Sequence, residues 1–417
     1  MSAETLEITA LAPKGDGVAT GPKGPVFVPF TAPGDVVTAA INGTDGTLMA
    51  LKTPSPDRIA PACRHFGPDA PGGACGGCTL QHVAAPVYEA FKQRTVTDAL
   101  SGLTPAVTVA PLVTAAPGER RRLVLSCRRT EKGLVLGFNS MGSHTLVDID
   151  DCPVALPSLV ARLPVIRRIA AAVATGSETF KVTVLDTLTG LDLSFEGQRK
   201  LSEAQRRQAV DAVLKAPDVA RVVIDGEILV EPRKPTVDFG GVSVVPPPAP
   251  FAQASARAEE EMVKLVLAHL GKAKRVADLF AGMGTFALRI ARQARVHAVE
   301  GDEKAVKALD AAARATQGLK PVSVERRDLF RRPLMTAELK AYDALVFDPP
   351  RAGAEAQCRE IARSTVKTIV AVSCNPATLA RDLAILTAGG YRVQTVTPID
   401  QFLWSTHVEA VATLTKG

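Results

Sequence analysis

Three short stretches hold residues whose types and order could do chemistry. In DLFAGMGTF, Asp278 to Phe286, a β-prone run ends in a glycine turn. Gly282 and Gly284 remove side chains where a ligand must approach backbone, and an acid stands beside them. Taken alone, such a turn is also an ordinary strand-to-helix connection. Glu300, the last residue of VHAVE, adds an acid at the end of the next strand, placed to accept two ribose hydroxyls. The pair fits an adenosine-bearing ligand, and the lack of a full G-x-G-x-x-G or a Walker lysine favours S-adenosylmethionine over a dinucleotide or ATP. In FDPPRAG, Asp348 ends a strand before two prolines that hold its carboxylate near the same crevice. In SCNPATLARDL, Cys374 follows the strand-like VAVS, and the helix expected behind it should favour the nucleophilic thiolate.

A second constellation lies upstream. Cys63, Cys75 and Cys78 follow C-x11-C-x2-C, with Gly76 and Gly77 letting the chain curl so that two thiols face one centre; Cys152, in IDDCP, is a plausible fourth ligand. Three clustered thiolates and one remote one suit an iron–sulfur cluster as well as zinc, or better. Cys127 and Cys358 read as structural.

The elements that must position these residues change character along the chain. After about residue 275, the strand-like runs VADLF, VHAVE, PVSVERRD, YDALVFD, TIVAVS, YRVQTVTP and HVEAVATL alternate with helical segments. This predicts a doubly wound α/β sheet that binds ligands at its strand carboxyl ends. The Pro-rich 244–250 reads as a linker. Before it, two hairpins, around 120–139 and over 181–197, and helices over 86–101, 157–175 and 201–215 make an α+β region without strand–helix alternation. Residues 1–55 hold LEITAL, GPVFVPF, DVVTAAI and TLMALK between turn residues, which suggests a small β-barrel of the oligonucleotide-binding kind. The expected units are therefore 1–55, 56–250 and 251–417.

Composition excludes broader classes. With 417 residues, 22% charged and 46% hydrophobic, the chain is neither disordered nor fibrous. No apolar stretch approaches the ~18 residues of a membrane helix, and the N-terminus carries acids rather than a leader-like basic and apolar run. A cytoplasmic protein is expected, with no membrane contact and no obligate protein partner. The net charge of +6 permits an anionic partner, yet residues 1–60 carry four basic and six acidic groups, so the barrel does not grip phosphate by bulk charge.

Taken together, the motifs resemble the RNA 5-methyluridine methyltransferases, whose signature runs through DLF-x-G-x-G-x-F, DPPR-x-G, SCNP-x-T-LARDL and HVE. Here these are DLFAGMGTF, DPPRAG, SCNPATLARDL and His407-Val408-Glu409, and FAQAS at 251–255 is similar to the family's F-x-Q-x-N. The resemblance implies a C-terminal Rossmann-like class I methyltransferase sheet, a central α+β domain and an N-terminal TRAM barrel. It assigns Cys374 as the nucleophile that adds to uracil C6 and Glu409 as the base that removes the C5 proton. Gln253, Phe280, Gly282, Gly284, Thr285, Glu300, Asp328 and Asp348 fall on the cofactor pocket, with Gln253 and Asp348 also near the uracil. Cys63, Cys75, Cys78 and Cys152 would hold a [4Fe-4S] cluster, although the first gap is longer than usual in the family. The barrel and cysteines point to the 23S rRNA branch, with tRNA the runner-up substrate. The target uridine must leave its stack. Beside such chemistry, Arg120, Arg121, Arg122, Arg128, Arg129, Arg326, Arg327, Arg331 and Arg332 become candidate phosphate contacts. Thr285, Ser255 and Leu403 depart from the family's Asn, Asn and Pro. A catalytically silent RNA-binding iron–sulfur protein is the alternative of another class, opposed by the retained thiol and acid.

Overall fold

Residues 2–197 and 200–417 are described by a computed structural model, built around a closed barrel and two seven-stranded sheets. The barrel strands are Ser2–Leu11, Gly17–Gly21, Gly24–Val28, Val36–Asn42 and Asp45–Thr53. Alternation turns Leu6, Ile8, Ala19, Val26, Val28, Val37 and Ala39 inward as its core. The run GVATG carries too little β-branched content to have been counted as a strand, yet it pairs with both neighbours and completes the barrel. Its glycine is imposed by packing: a Cβ on Gly17 would lie 2.0 Å from Thr31 Oγ1.

The central sheet runs Glu227–Val230, Val219–Ile224, Gly190–Glu196, Phe180–Thr187, Arg122–Thr130, Gly133–Asn139, Leu146–Asp148 in spatial order. Both expected hairpins form. The helix expected over 157–175 is broken into Pro157–Ala161 and Leu163–Val173, because Pro164 lacks the N–H that would continue the first. The region is also not free of parallel pairing: helix Glu203–Leu214 crosses between the parallel strands Gly190–Glu196 and Val219–Ile224. The Pro-rich 244–250 is pinned at its start, where buried Arg221, paired with Asp192, donates to the carbonyls of Pro246 and Pro247.

The C-terminal sheet has the order Val322–Arg326, Arg295–Glu300, Arg275–Leu279, Ala344–Phe347, Thr368–Ser373, Glu409–Lys416, Tyr391–Ile399. Its central strands are buried on both faces, which is why VADL, ALVF and TIVAVS are mostly apolar, without the alternation of a half-exposed strand. Six strands run one way; Glu409–Lys416 is inserted antiparallel to both neighbours. That reversal decides the site. The start of Glu409–Lys416 lies at the carboxyl ends of the others, with Ala410 opposite Ser373 and Glu409 opposite Ile399. Helix Ala85–Leu100 packs here too: Val96 and Leu100 join the core of this sheet, and Val109 and Val113 bridge to Val396 and Ile399. Among the described residues no helix is long and apolar enough to cross a membrane.

Candidate active site

The strand order reverses between Arg275–Leu279 and Ala344–Phe347, and the sequence motifs gather at the carboxyl ends on either side of that point. Gly282 and Gly284 both have positive φ, 54° and 98°. Their surroundings differ. A Cβ on Gly284 would lie 2.4 Å from Leu309 Cδ1, whereas one on Gly282 meets nothing within 4 Å. The second glycine thus lets a helix pack close, and the first faces open space. Glu300 Oε2 accepts from Gly282 N–H at 2.9 Å and Oε1 from Asp302 N–H at 2.8 Å. An ionised carboxylate has about four acceptor positions, so capacity for two hydroxyls remains. Phe280, itself at φ 60°, stands 5.4 Å from the half-exposed ring of Phe330. Asp328 borders Gly301, and its Oδ1 accepts from Phe330 N–H at 3.0 Å. Asp278 is fully buried, and burial together with the charges of Asp348 and Glu300 holds its carboxyl well above the usual range. For Thr285 the recorded contact is its carbonyl, which accepts from Arg289 Nη1 at 2.9 Å.

On the other side of the switch point, Cys374, Asp348 and Glu409 come together. Gln253 Nε2 donates to Asp348 Oδ2 at 3.1 Å, and its Oε1 accepts from Gln401 Nε2 at 2.9 Å. Gln401 Nε2 also donates to Glu409 Oε1 at 3.1 Å, while its Oε1 accepts from Ala254 N–H at 2.9 Å. The result is a chain Asp348–Gln253–Gln401–Glu409, closed at one end by a buried carboxylate oxygen, Glu409 Oε2, that has no hydrogen-bond partner among the described residues. Burial lifts Asp348 to about 7. Burial and then the charge of Asp348 lift Glu409 to about 8. These are environments that keep a carboxyl poised near neutrality.

Cys374 corrects an expectation. A helix, Pro376–Ala388, does begin behind it, yet burial first, then the charges of Glu409 and Asp348, push its thiol up to about 11, and Arg351 offsets only part of this. The helix start is capped by Asn375, whose side chain accepts from Ala377 N–H at 3.2 Å. Desolvation and two acids outweigh the helix dipole.

Of the candidate phosphate contacts, Arg121, Arg122 and Arg327 are committed to protein partners, whereas Arg128, Arg129, Arg326, Arg331 and Arg332 are exposed. Arg121 is 13% exposed; it donates to Gln253 O at 3.1 Å and to Glu259 Oε2 at 2.6 Å, and so fixes the main chain of Gln253. Arg122 donates to Pro250 O, Arg327 pairs with Glu338 and Glu325, and Arg326 pairs with Glu303. Sequence reading also passed over Gln401. A lone Gln between Asp400 and Phe402 carries no periodic or motif signal; only the antiparallel insertion of Glu409–Lys416 brings it beside Gln253. Of the departures, Ser255 caps helix Ala256–Leu270 by accepting from Ala258 N–H at 3.2 Å, and Leu403 packs beside Leu80 and Tyr88.

Residues 246–417 match the family model described as tRNA (Uracil-5-)-methyltransferase. An uncharacterized RNA methyltransferase of Rhizobium meliloti is 64% identical over the whole of both chains. A 23S rRNA (uracil(1939)-C(5))-methyltransferase of Chromohalobacter salexigens is 34% identical across all of this chain and 90% of its own length. The chain belongs to the RNA uracil-5-methyltransferase family. Its fold is that of the tRNA (uracil-54, C5)-methyltransferase of Pyrococcus abyssi, solved with S-adenosyl-L-homocysteine, with a TM-score of 0.77 over 99% of each chain at 23% identity. Members of the family are S-adenosylmethionine-dependent and act on RNA.

The upstream cysteines form a separate centre. Cys63, Cys75, Cys78 and Cys152 line one cavity of about 160 Å3, with Arg120 and Phe138 among its other walls. Cys75 N–H donates to His65 O and Gly76 N–H to Asn139 O. A Cβ on Gly76 would lie 2.8 Å from that Asn139 oxygen, so the curl between the two thiols requires glycine. Burial and the neighbouring thiols raise Cys78 to about 12, and burial is the main cause that raises Cys152 to about 11. Among the described residues no group of three or more His, Cys, Asp or Glu is spaced to hold a single metal ion. Cys127 and Cys358 are buried apart from this cavity in two apolar cores.

Proposed function

We propose that the protein methylates C5 of a uridine in structured RNA, and that 23S rRNA is the substrate. The observation that carries this reading is the meeting of one thiol and two neutral-range carboxyls at the sheet's carboxyl end, beside an open glycine turn closed by Glu300. Uracil C5 is a weak nucleophile. Cys374 loses its proton to solvent, its thiolate bonds to C6, and the C5–C6 π electrons move onto the C4 oxygen as an enolate. S-adenosylmethionine supplies the methyl group as an electrophilic sulfonium that C5 attacks, leaving a neutral thioether. The free oxygen of Glu409 then takes the C5 proton, the C5–C6 double bond re-forms and the thiolate of Cys374 departs. Gln253, held by Arg121, and Gln401 keep Asp348 and Glu409 at fixed separation throughout. Glu300, Asp328, Phe280, Thr285 and the two glycines hold the cofactor.

The choice of 23S rRNA rests on the relative that acts on it and matches the full chain. A tRNA substrate is the second reading, supported by the description of the matching family model. Mapping 5-methyluridine in both RNAs from a deletion strain decides between them. For the chemistry, RNA carrying 5-fluorouridine should trap the wild type as a complex stable to denaturing electrophoresis, because fluorine cannot leave as a proton does. A competent fluorinated RNA that forms no adduct rules out the covalent route.

The four-thiol cavity fits a [4Fe-4S] cluster. Its volume is about ten times the ~10–15 Å3 a single water occupies, and the four cysteines that line it would supply the donor set. Cys63, Cys75, Cys78 and Cys152 would hold it, and its thiolate charge would be neutralised by iron. Methyl transfer requires no electron, so the group acts as a structural element. The barrel over residues 1–55 serves as a TRAM-type RNA contact, with residues 56–250 and 251–417 as the remaining units.

A further inference from the structure

Lys92 is completely buried, an unusual place for an ammonium group. It projects from helix Ala85–Leu100 and donates to Asp400 Oδ1 at 2.9 Å, to Phe402 O at 3.1 Å and to His407 O. All three of its protons are therefore used. The other oxygen of Asp400 accepts from Tyr88 OH at 2.5 Å, and the Tyr88 oxygen accepts from Trp404 N–H at 2.9 Å. From the opposite side, Thr79 and Leu80, directly after Cys78, donate their N–H groups to Trp404 O at 2.8 and 3.0 Å. Every one of these contacts falls on the stretch 400–407. That stretch begins one residue before Gln401 and ends two residues before Glu409, and Gln401 and Glu409 are hydrogen-bonded to each other.

We propose that Lys92 is a positioning residue for the reaction: it gathers the loop Asp400–His407 around one ammonium group and so fixes Gln401 and Glu409 against Cys374, without touching substrate. The proposal rests on Glu409 being the base. A side chain that converges on a carboxylate and two carbonyls from three points of one loop sets that loop's curvature. Methionine has the length but no donors. Arginine has donors in a planar fork that cannot close on the same three acceptors. Loss of Lys92 should therefore displace the base while leaving Cys374, on a different strand, where it is. The defect should appear in elimination rather than in addition.

The test uses the full-length protein, RNA from a strain lacking the enzyme, and S-adenosylmethionine labelled in its methyl group. Rates of adduct formation and of release are measured in single turnover for the wild type, Lys92→Met, Lys92→Arg, Tyr88→Phe and Glu409→Gln. Lys92→Met should form the methyl-labelled protein–RNA adduct at close to the normal rate and release it about 100-fold more slowly, the loss expected for roughly 1 Å of misplacement. Lys92→Arg should not rescue release, and Tyr88→Phe should slow it less than Lys92→Met does. A folded Lys92→Met that slows both steps equally, or neither, overturns the proposal. If Lys92→Met does not fold, Tyr88→Phe decides, and an unchanged ratio of the two rates overturns it. Normal release by Glu409→Gln instead overturns the assignment of the base, a failure distinct from that of Lys92 alone.

Discussion

Two sites in this molecule set thiols among ionisable groups, and their surroundings differ. At Cys374 a single thiol meets carboxyls: burial and the charges of Glu409 and Asp348 raise it to about 11, while the same acids are themselves held near 7 and 8. Around the upstream cavity four thiols meet one another, and Cys78 is raised to about 12. In the first site the thiol and the two acids act on one another through charge. In the second, the thiols face one another with Arg120 in the wall, and a metal bound there would have to displace their protons.

The strongest way to break this contrast is to remove a thiol from each site. Cys374→Ala should lower turnover by roughly 10⁴–10⁶-fold, as loss of an attacking nucleophile does. It should form no adduct with fluorinated RNA and should leave iron content unchanged. Cys152→Ser should do the reverse, with acid-labile sulfide and iron, about four of each per chain in anaerobically purified protein, falling together with folding yield. Stoichiometric zinc without sulfide in such a preparation would reject the cluster. Within the first site, Glu409→Gln should still add and methylate but release about 10²–10⁴-fold more slowly.

The same contrast bears on what could be read without coordinates. Cys374, Asp348 and Glu300 were legible because each stands at a strand end next to a turn, and all seven strands of the C-terminal sheet were visible as strand-like runs. Cys63, Cys75, Cys78 and Cys152 were legible as types, and the fold brings all four to one cavity. Gln401 and Lys92 were not legible, since their roles come from pairings across 148 and 308 positions of the chain. The direction of the Cys374 shift was misjudged for a related reason. The helix behind it is local and visible in sequence, whereas the two acids that override it arrive from other strands.

Cofactor binding offers a smaller effect. Glu300 lies across the strand switch from Cys374, so Glu300→Ala should weaken S-adenosylmethionine by about 1.5–3 kcal/mol through lost charged hydrogen bonds, without altering adduct formation at saturating cofactor. Calorimetry measures the first and trapping the second. An unchanged dissociation constant would show the pocket to be elsewhere, since the variant also frees the Gly282 N–H that Glu300 now holds.

The smallest effect is in pH, and it separates the two thiol sites within one sample. A nucleophile raised to about 11 is almost wholly protonated at neutrality, so addition to fluorinated RNA should accelerate as pH rises from 7 to 9, by at most tenfold per unit. Release from normal RNA requires Glu409 ionised; with its carboxyl near 8, release should rise up to about that pH and then level off. The two steps should therefore diverge above pH 8, addition still climbing and release flat. If the cysteine centre holds iron, its thiols have no proton to lose in this window, and its visible absorbance should stay constant across it. An addition rate that is flat from pH 7 to 9 would mean that RNA binding itself lowers the Cys374 thiol, by displacing the charge of Glu409 or Asp348. In that case Asp348→Asn should have little further effect on addition, whereas in the site as it stands it should speed addition above neutrality, where Asp348 is ionised, by removing a charge that adds to burial in holding the proton on sulfur.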